Sequence, residues 1–240
     1  KIKRLREDLN YSIEKVELPR NSDNSIDATQ LINDWFPEYK PDVFISHSHT
    51  DEQTAKRIAC WLEKNFKLTT FIDSTVWGNA DELLKKLDNE YCVLSRDKKG
   101  NVETYNYRMR NFTTSHVHMM LSTALNDMID ASECVIFLNT TKSVQTTEIQ
   151  GEKTKSPWIY SELKTACIVE KINPREISTN ILHREERIFQ NSVKKGVTYN
   201  VGEQLNTFEN LNSKILQQWQ TSYKESNNTH PLDVLYRLIK

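Results

Sequence analysis

Residues 42–52 read DVFISHSHTDE. Val43, Phe44 and Ile45 form an uninterrupted apolar run, the pattern of a short strand buried on both faces. A polar loop, His47–Thr50, follows. Thr50 with Gln53 three residues later has the form of a capping box. Ala55, Ile58, Ala59 and Leu62 then repeat at helical spacing. A buried strand, a polar loop and an amphipathic helix in that order are the repeating unit of a parallel α/β sheet.

The alternation continues outward. Thr69–Ile72 reads as a second strand ending at Asp73, Ser74–Asn79 as a loop holding Trp77 and Gly78, and Asp81–Glu90 as a helix. Residues 92–114 are polar and tyrosine-rich and read as an insertion. Ser115–Ile129 resumes as a helix and Cys134–Leu138 as a buried strand. Asn139–Lys155 reads as a long polar loop and Pro157–Lys171 as a helix. Val197–Val201 suggests a strand. Leu205, Phe208, Leu211, Ile215 and Trp219 place one helix over 205–219, and Pro231–Ile239 gives a last one. Toward the start, Lys1–Asn10 is a charged helical stretch, Asn21–Ser25 a polar break and Asp27–Trp35 a short helix. The expectation is an α/β fold, a central parallel sheet with helices on both faces. Residues 1–40 form an N-terminal helical extension, 41–225 the main domain with its insertion at 92–114, and 226–240 a C-terminal helical tail.

Composition narrows the function. The chain has 240 residues and a net charge of -1, so it lacks the basic footprint of a duplex-DNA binder. No apolar run approaches the roughly 18 residues of a membrane helix, and KIKRLREDLN lacks the apolar core of a signal peptide. The glycines form neither a G-x-G-x-x-G dinucleotide loop nor a P-loop. Cys60, Cys92, Cys134 and Cys167 are widely spaced, which predicts reduced, mostly buried thiols and a cytoplasmic protein.

In an open parallel sheet, ligands bind beyond the carboxyl ends of the strands. That rule directs attention to His47–Thr50, Asp73–Asn79 and Asn139–Ser156. The segment Ser156-Pro157-Trp158-Ile159-Tyr160-Ser161-Glu162 follows the last of these. Ser156 suits an N-cap and Pro157 the first helical position. Glu162 then shares a face with Trp158, Ile159 and Ala166. There it either stabilises positive charge beside a cleft or is a solvated glutamate near the helix dipole. Asp73 either bonds a sugar hydroxyl or holds its own turn. Trp77 either stacks on a base or nicotinamide, docks a partner, or folds back on its own core. Trp61 and Trp219 read as core. His47-Ser48-His49 and His116-Val117-His118 have chelating spacing, yet no third and fourth ligand is evident, and no metal is expected. Ser46 and Ser48 form no nucleophile motif. Lys153, Lys155 and Lys164 read as a solvated face or a phosphate contact.

Taken in order, DVFISHSHTDE, FIDSTVWG, ECVIFLN and SPWIYSELKTA resemble the boxes of a Toll/interleukin-1 receptor (TIR) domain, the last carrying W-x-x-x-E. The resemblance implies a flavodoxin-like TIR fold. It also implies that Glu162 is the catalytic residue of an NAD-cleaving enzyme. Phe44, Ser46, His47, Ser48, His49, Asp73, Trp77 and Trp158 are then the substrate-binding residues. NAD is the substrate, and no cofactor is needed. The N-terminal extension and the insertion look like those of bacterial stand-alone TIR proteins of anti-phage systems such as Thoeris. That likeness implies self-association, a phage-derived trigger, and a separate effector that senses an ADP-ribose-type product, with neither nucleic acid nor membrane as partner. Two other readings stand beside it, a non-catalytic TIR scaffold and a nucleoside deoxyribosyltransferase-like enzyme.

Overall fold

The computed structural model describes residues 18–35, 40–72, 74–147, 151–169, 175, 197–226 and 229–239. Along the chain run α1 (Ala28–Trp35), β1 (Val43–Ser46), α2 (Glu52–Phe66), β2 (Thr70–Ile72), α3 (Ser74–Tyr91), β3 (Val93–Arg96) and β4 (Val102–Tyr105). They are followed by α4 (Tyr107–Ala131), β5 (Cys134–Phe137), β6 (Gln145–Thr147), β7 (Gly151–Thr154) and α5 (Pro157–Ile168). The last are β8 (Tyr199–Asn200), α6 (Gly202–Leu205), α7 (Ser213–Glu225) and α8 (Pro231–Ile239). The chain divides into two compact units, one of residues 1–40 and 73–128, the other of 41–72 and 129–240.

The second unit contains a parallel sheet in the order β2-β1-β5. Val43 pairs with Thr70 on one side and Cys134 on the other, and Ser46 ends the ladder opposite Phe137. All four β1 residues are buried, as an apolar run flanked on both edges requires. Phe44 stacks on Phe71 with ring centroids 5.5 Å apart. Asp42 fixes the start of the sheet, since Thr69 donates to its carboxylate through both N (2.6 Å) and Oγ1 (2.7 Å).

The first helix after β1 buries Ala55, Ala59, Leu62 and Phe66, and closes on Lys67 in the left-handed region at φ 60. Its start differs from expectation. His49–Asp51 form a 3-10 turn, Asp51 takes the N-cap position without a side-chain cap bond, and Thr50 Oγ1 faces Ser48 Oγ instead. The capping box therefore does not form.

Val43, Ile45, Leu62 and Phe66 share one core with Trp219, Leu232 and Leu235. Trp219 is fully buried, stacks on Phe66 at 4.0 Å and donates from Nε1 to Pro231 O at 2.8 Å. Residues 231–239 thus belong to the same core as the central strand. The helix expected over 205–219 is two helices, because Leu205 and Phe208 pack on a different cluster (Val144, Ile159, Leu163, Val201). Asn212 restarts the helix by accepting from Ile215 N at 3.0 Å. The expected loop at 139–155 contains the β6–β7 hairpin, with β8 paired to β7.

The other unit contains α1, α3, the β3–β4 hairpin and most of α4. Residues 74–79, expected as a loop, open α3. The insertion at 92–114 is the hairpin plus the first turns of α4, closed by Gly100 at φ 85. Buried Asp88 ties these pieces together, accepting from Arg110 Nε (2.8 Å) and Thr113 Oγ1 (2.7 Å). Arg20 reaches Glu90 (2.6 Å) and the Tyr91 hydroxyl (3.0 Å). His116 and His118 lie well inside α4 rather than at a helix start. Lys1–Asn10 lies outside the described residues. The four cysteines are free, Cys92 buried and Cys60 exposed. No helix among the described residues is long and apolar enough to cross a membrane.

Candidate functional site

β1 delivers a polar segment into the carboxyl edge of the sheet. Its last residue, Ser46, is fully buried, His47 and Ser48 beyond it are buried, and His49 is exposed. β1 is the middle strand of the three, and in open parallel sheets the ends of the strands on the carboxyl side are where ligands bind.

The second contributor is α5. Ser156 accepts from Ile159 N (3.3 Å) and Pro157 occupies the first turn, so the helix starts where the sequence places it. Ile159 and Leu163 turn into a small core with Val144 and Val201. That anchoring aims Glu162, one residue before Leu163, at the end of β1. The Glu162 side chain is 2% exposed, and Ser46 Oγ donates to its Oε2 at 2.5 Å. Residues 116 positions apart thus meet in one short buried hydrogen bond. Trp158, a turn earlier, is half-buried.

A second buried carboxylate sits just beyond. Asp51 accepts from Ser48 Oγ (2.5 Å) and Thr140 Oγ1 (2.6 Å), and Lys142 Nζ lies 3.8 Å from it. Burial pushes the Asp51 carboxyl up. The hydrogen bonds from Ser48 and Thr140, with the charges of Lys142 and His47, outweigh that and hold it below the usual aspartate value. This brace links the loop after β1 to the loop after β5, where Ser143 also folds back onto Leu138 O at 2.8 Å. Sequence reasoning missed Asp51, Thr140 and Lys142. The one available signal was an acid immediately after the HSH loop, which the capping pattern absorbed.

Of the expected site residues, Ser46 and Glu162 touch, and His47, Ser48 and His49 follow Ser46 on the same segment. Phe44 points into the core against Phe71. Asp73 lies outside the described residues, and so does the side chain of Trp77, whose backbone is in α3. Among the described residues, no group of three His, Cys, Asp or Glu could hold a metal ion. A groove of about 300 Å³ between α2 and α7 is lined by Arg57, Ile58, Trp61 and Leu216, and contains none of these residues.

Compared with protein-family models, with curated proteins and with solved structures, the chain gives no match.

Proposed function

We propose that this chain is a TIR-type enzyme that cleaves the nicotinamide–ribose bond of NAD, with Glu162 as its catalytic residue. The observation that carries the reading is the buried Ser46–Glu162 contact at the carboxyl end of the central strand. The strand order β2-β1-β5 supports it, being that of the first three strands of a flavodoxin-like sheet.

The chemistry follows from where charge develops. As the C1–N bond of the nicotinamide riboside breaks, its electron pair leaves with nicotinamide, which departs neutral. Positive charge then grows on the ribose carbon and ring oxygen, as in glycoside cleavage. A carboxylate held in a water-poor site stabilises that charge more than one in water does. Ser46 fixes the orientation of Glu162 by donating to Oε2, and the carboxylate would accept from a ribose hydroxyl of the substrate. Attack by water at C1, with loss of its proton to solvent, gives ADP-ribose. Attack by a hydroxyl or by the adenine of the same molecule gives a cyclic product, and exclusion of water decides between them. In the wider reading the product is a signal for a separate effector in bacterial anti-phage immunity.

At 2% exposure Glu162 is covered in this conformation. NAD reaches it only in an opened form, so apparent affinity is lowered by the fraction of chain that is open. The test is mass spectrometry of NAD incubated with concentrated protein, beside Glu162→Gln. Nicotinamide release that falls about 10²–10³-fold in the variant is expected for loss of one transition-state stabiliser. Equal release by the two proteins sinks the assignment.

A further inference from the structure

Two carboxylates, Glu162 and Asp51, are buried at the carboxyl end of β1. The substrate proposed for this site carries negative charge of its own, on the pyrophosphate that joins its halves. Acids alone cannot hold that group, because like charges in a poorly screened site repel. A cation with donors to spare is needed. Lys142 has that character. Its Nζ lies 3.8 Å from Asp51 Oδ1, beyond hydrogen-bond range, and its side chain is 58% exposed. Among the described residues the ammonium makes no hydrogen bond. Asp51 is satisfied without it, since Oδ2 already accepts from Ser48 and Thr140.

The base of this lysine is fixed. Its backbone N donates to Thr140 Oγ1 at 3.2 Å, and Ser143 Oγ donates to Leu138 O (2.8 Å) and Thr140 O (3.0 Å). With Thr140 also bonded to Asp51, the turn is tied both to the end of β5 and to the loop after β1. The spacing along that loop also fits. Ser46 ends β1, and Ser48 is still extended at φ -74 and ψ 149. Side chains two apart on an extended chain lie on one side, about 7 Å apart. Ser46 meets Glu162, and Ser48 meets Asp51. The series Glu162, Ser46, Ser48, Asp51, Lys142 therefore runs outward from a buried carboxylate to an exposed ammonium. A ribose held by its hydroxyls at Glu162 has its 5′-phosphate a few covalent bonds away, a comparable span.

We propose that Lys142 binds the pyrophosphate of the substrate, and so selects the dinucleotide over the phosphate-free nucleoside. The inference rests on the reading of the site as one that cleaves NAD. Lys142 donates to a phosphate oxygen in place of solvent, as a point charge on a flexible stem. No proton changes hands, and Asp51 stays bonded to Ser48 and Thr140 throughout.

Titration calorimetry of the full chain with ADP-ribose tests this, because that probe carries the pyrophosphate and has no nicotinamide to lose. Lys142→Met keeps the stem and removes the charge. At low salt it should weaken binding about tenfold, the lower end for a hydrogen bond to a charged group, since the position is exposed. Lys142→Glu should weaken it further, and Lys142→Arg should stay within about threefold of wild type. Wild-type affinity should fall more steeply with added salt than that of Lys142→Met. Nicotinamide riboside, which has no phosphate, should bind wild type and Lys142→Met alike, and urea midpoints should match across the series. ADP-ribose that fails to bind the wild type, or that binds all four proteins equally, overturns the proposal. A loss shared by Lys142→Arg or by nicotinamide riboside marks a packing role and overturns it too. The activity fails separately. Charge-dependent ADP-ribose binding without nicotinamide release from NAD keeps the phosphate contact and sinks the cleavage reading. Release that depends on Glu162, with binding indifferent to Lys142, does the reverse.

Discussion

Ser46→Ala is the sharpest probe of the site. The substitution deletes one oxygen from a fully buried side chain and removes the 2.5 Å hydrogen bond to Glu162. Hydrogen bonds to charged groups contribute about 1.5–3 kcal/mol, more than a neutral pair, because the abandoned partner stays buried. The expected loss is therefore about 2 kcal/mol. For a chain of this size that lowers Tm by roughly 4–8 °C, at ~2–4 °C per kcal/mol. Urea denaturation of a double-mutant cycle isolates the contact, with Glu162→Leu as the second variant since it removes the acceptor at similar volume. In that background Ser46→Ala should cost almost nothing, giving a coupling energy near 2 kcal/mol. Under the proposed function nicotinamide release should fall as well, because a misplaced catalytic group costs up to ~10²-fold. A loss below about 0.5 kcal/mol, or additive effects in the cycle, refutes the claim that Ser46 holds Glu162 in place.

Three further outcomes follow from named contacts. Asp51 has a folded-state value below the ordinary aspartate value. Its stabilising contribution is complete above about pH 4 and lost as pH falls through the lower folded value, because the unfolded chain takes up the proton first. Asp51→Asn should therefore lower stability at neutral pH and flatten the loss below about pH 4, read by urea midpoints across that range. Trp219→Ala removes a fully buried ring stacked on Phe66 and a hydrogen bond to Pro231, and should cost about 3–5 kcal/mol by urea unfolding. Glu162→Leu should leave the urea midpoint unchanged or raised, since replacing a buried ionic group by an apolar one of similar volume is often neutral or stabilising, while ending nicotinamide release.

The three parallel strands were legible because each is a short apolar run with polar ends, a pattern set by burial on two faces. The β6–β7 hairpin was not, because QTT and GEKT carry no apolar alternation, and β8, which pairs with β7, is far along the chain, Thr154 meeting Tyr199. Periodicity misled at 205–219 for a different reason. Leu205 and Phe208 serve the core under α5, whereas Leu211, Ile215 and Trp219 serve the core under β1, so one apparent face is divided between two clusters. At 49–52 a local rule lost to a nonlocal one. Asp51 is taken by Ser48 and by Thr140, 89 residues away, and the 3-10 turn this imposes displaces Thr50 from the cap.

Glu162 presents the same conflict more sharply. By position it lies between Ile159 and Leu163, on a helix whose stability comes from those two side chains. Nothing in that packing calls for a charge, and burying a carboxylate costs several kcal/mol unless it is hydrogen-bonded. A leucine would fill the place more cheaply. Ser46, equally buried, offsets part of that cost, so the contact is a pair of local penalties that make sense only together. Where each local preference would choose an apolar residue and the chain has two polar ones, the difference in stability is what the proposed site would give up for its chemistry.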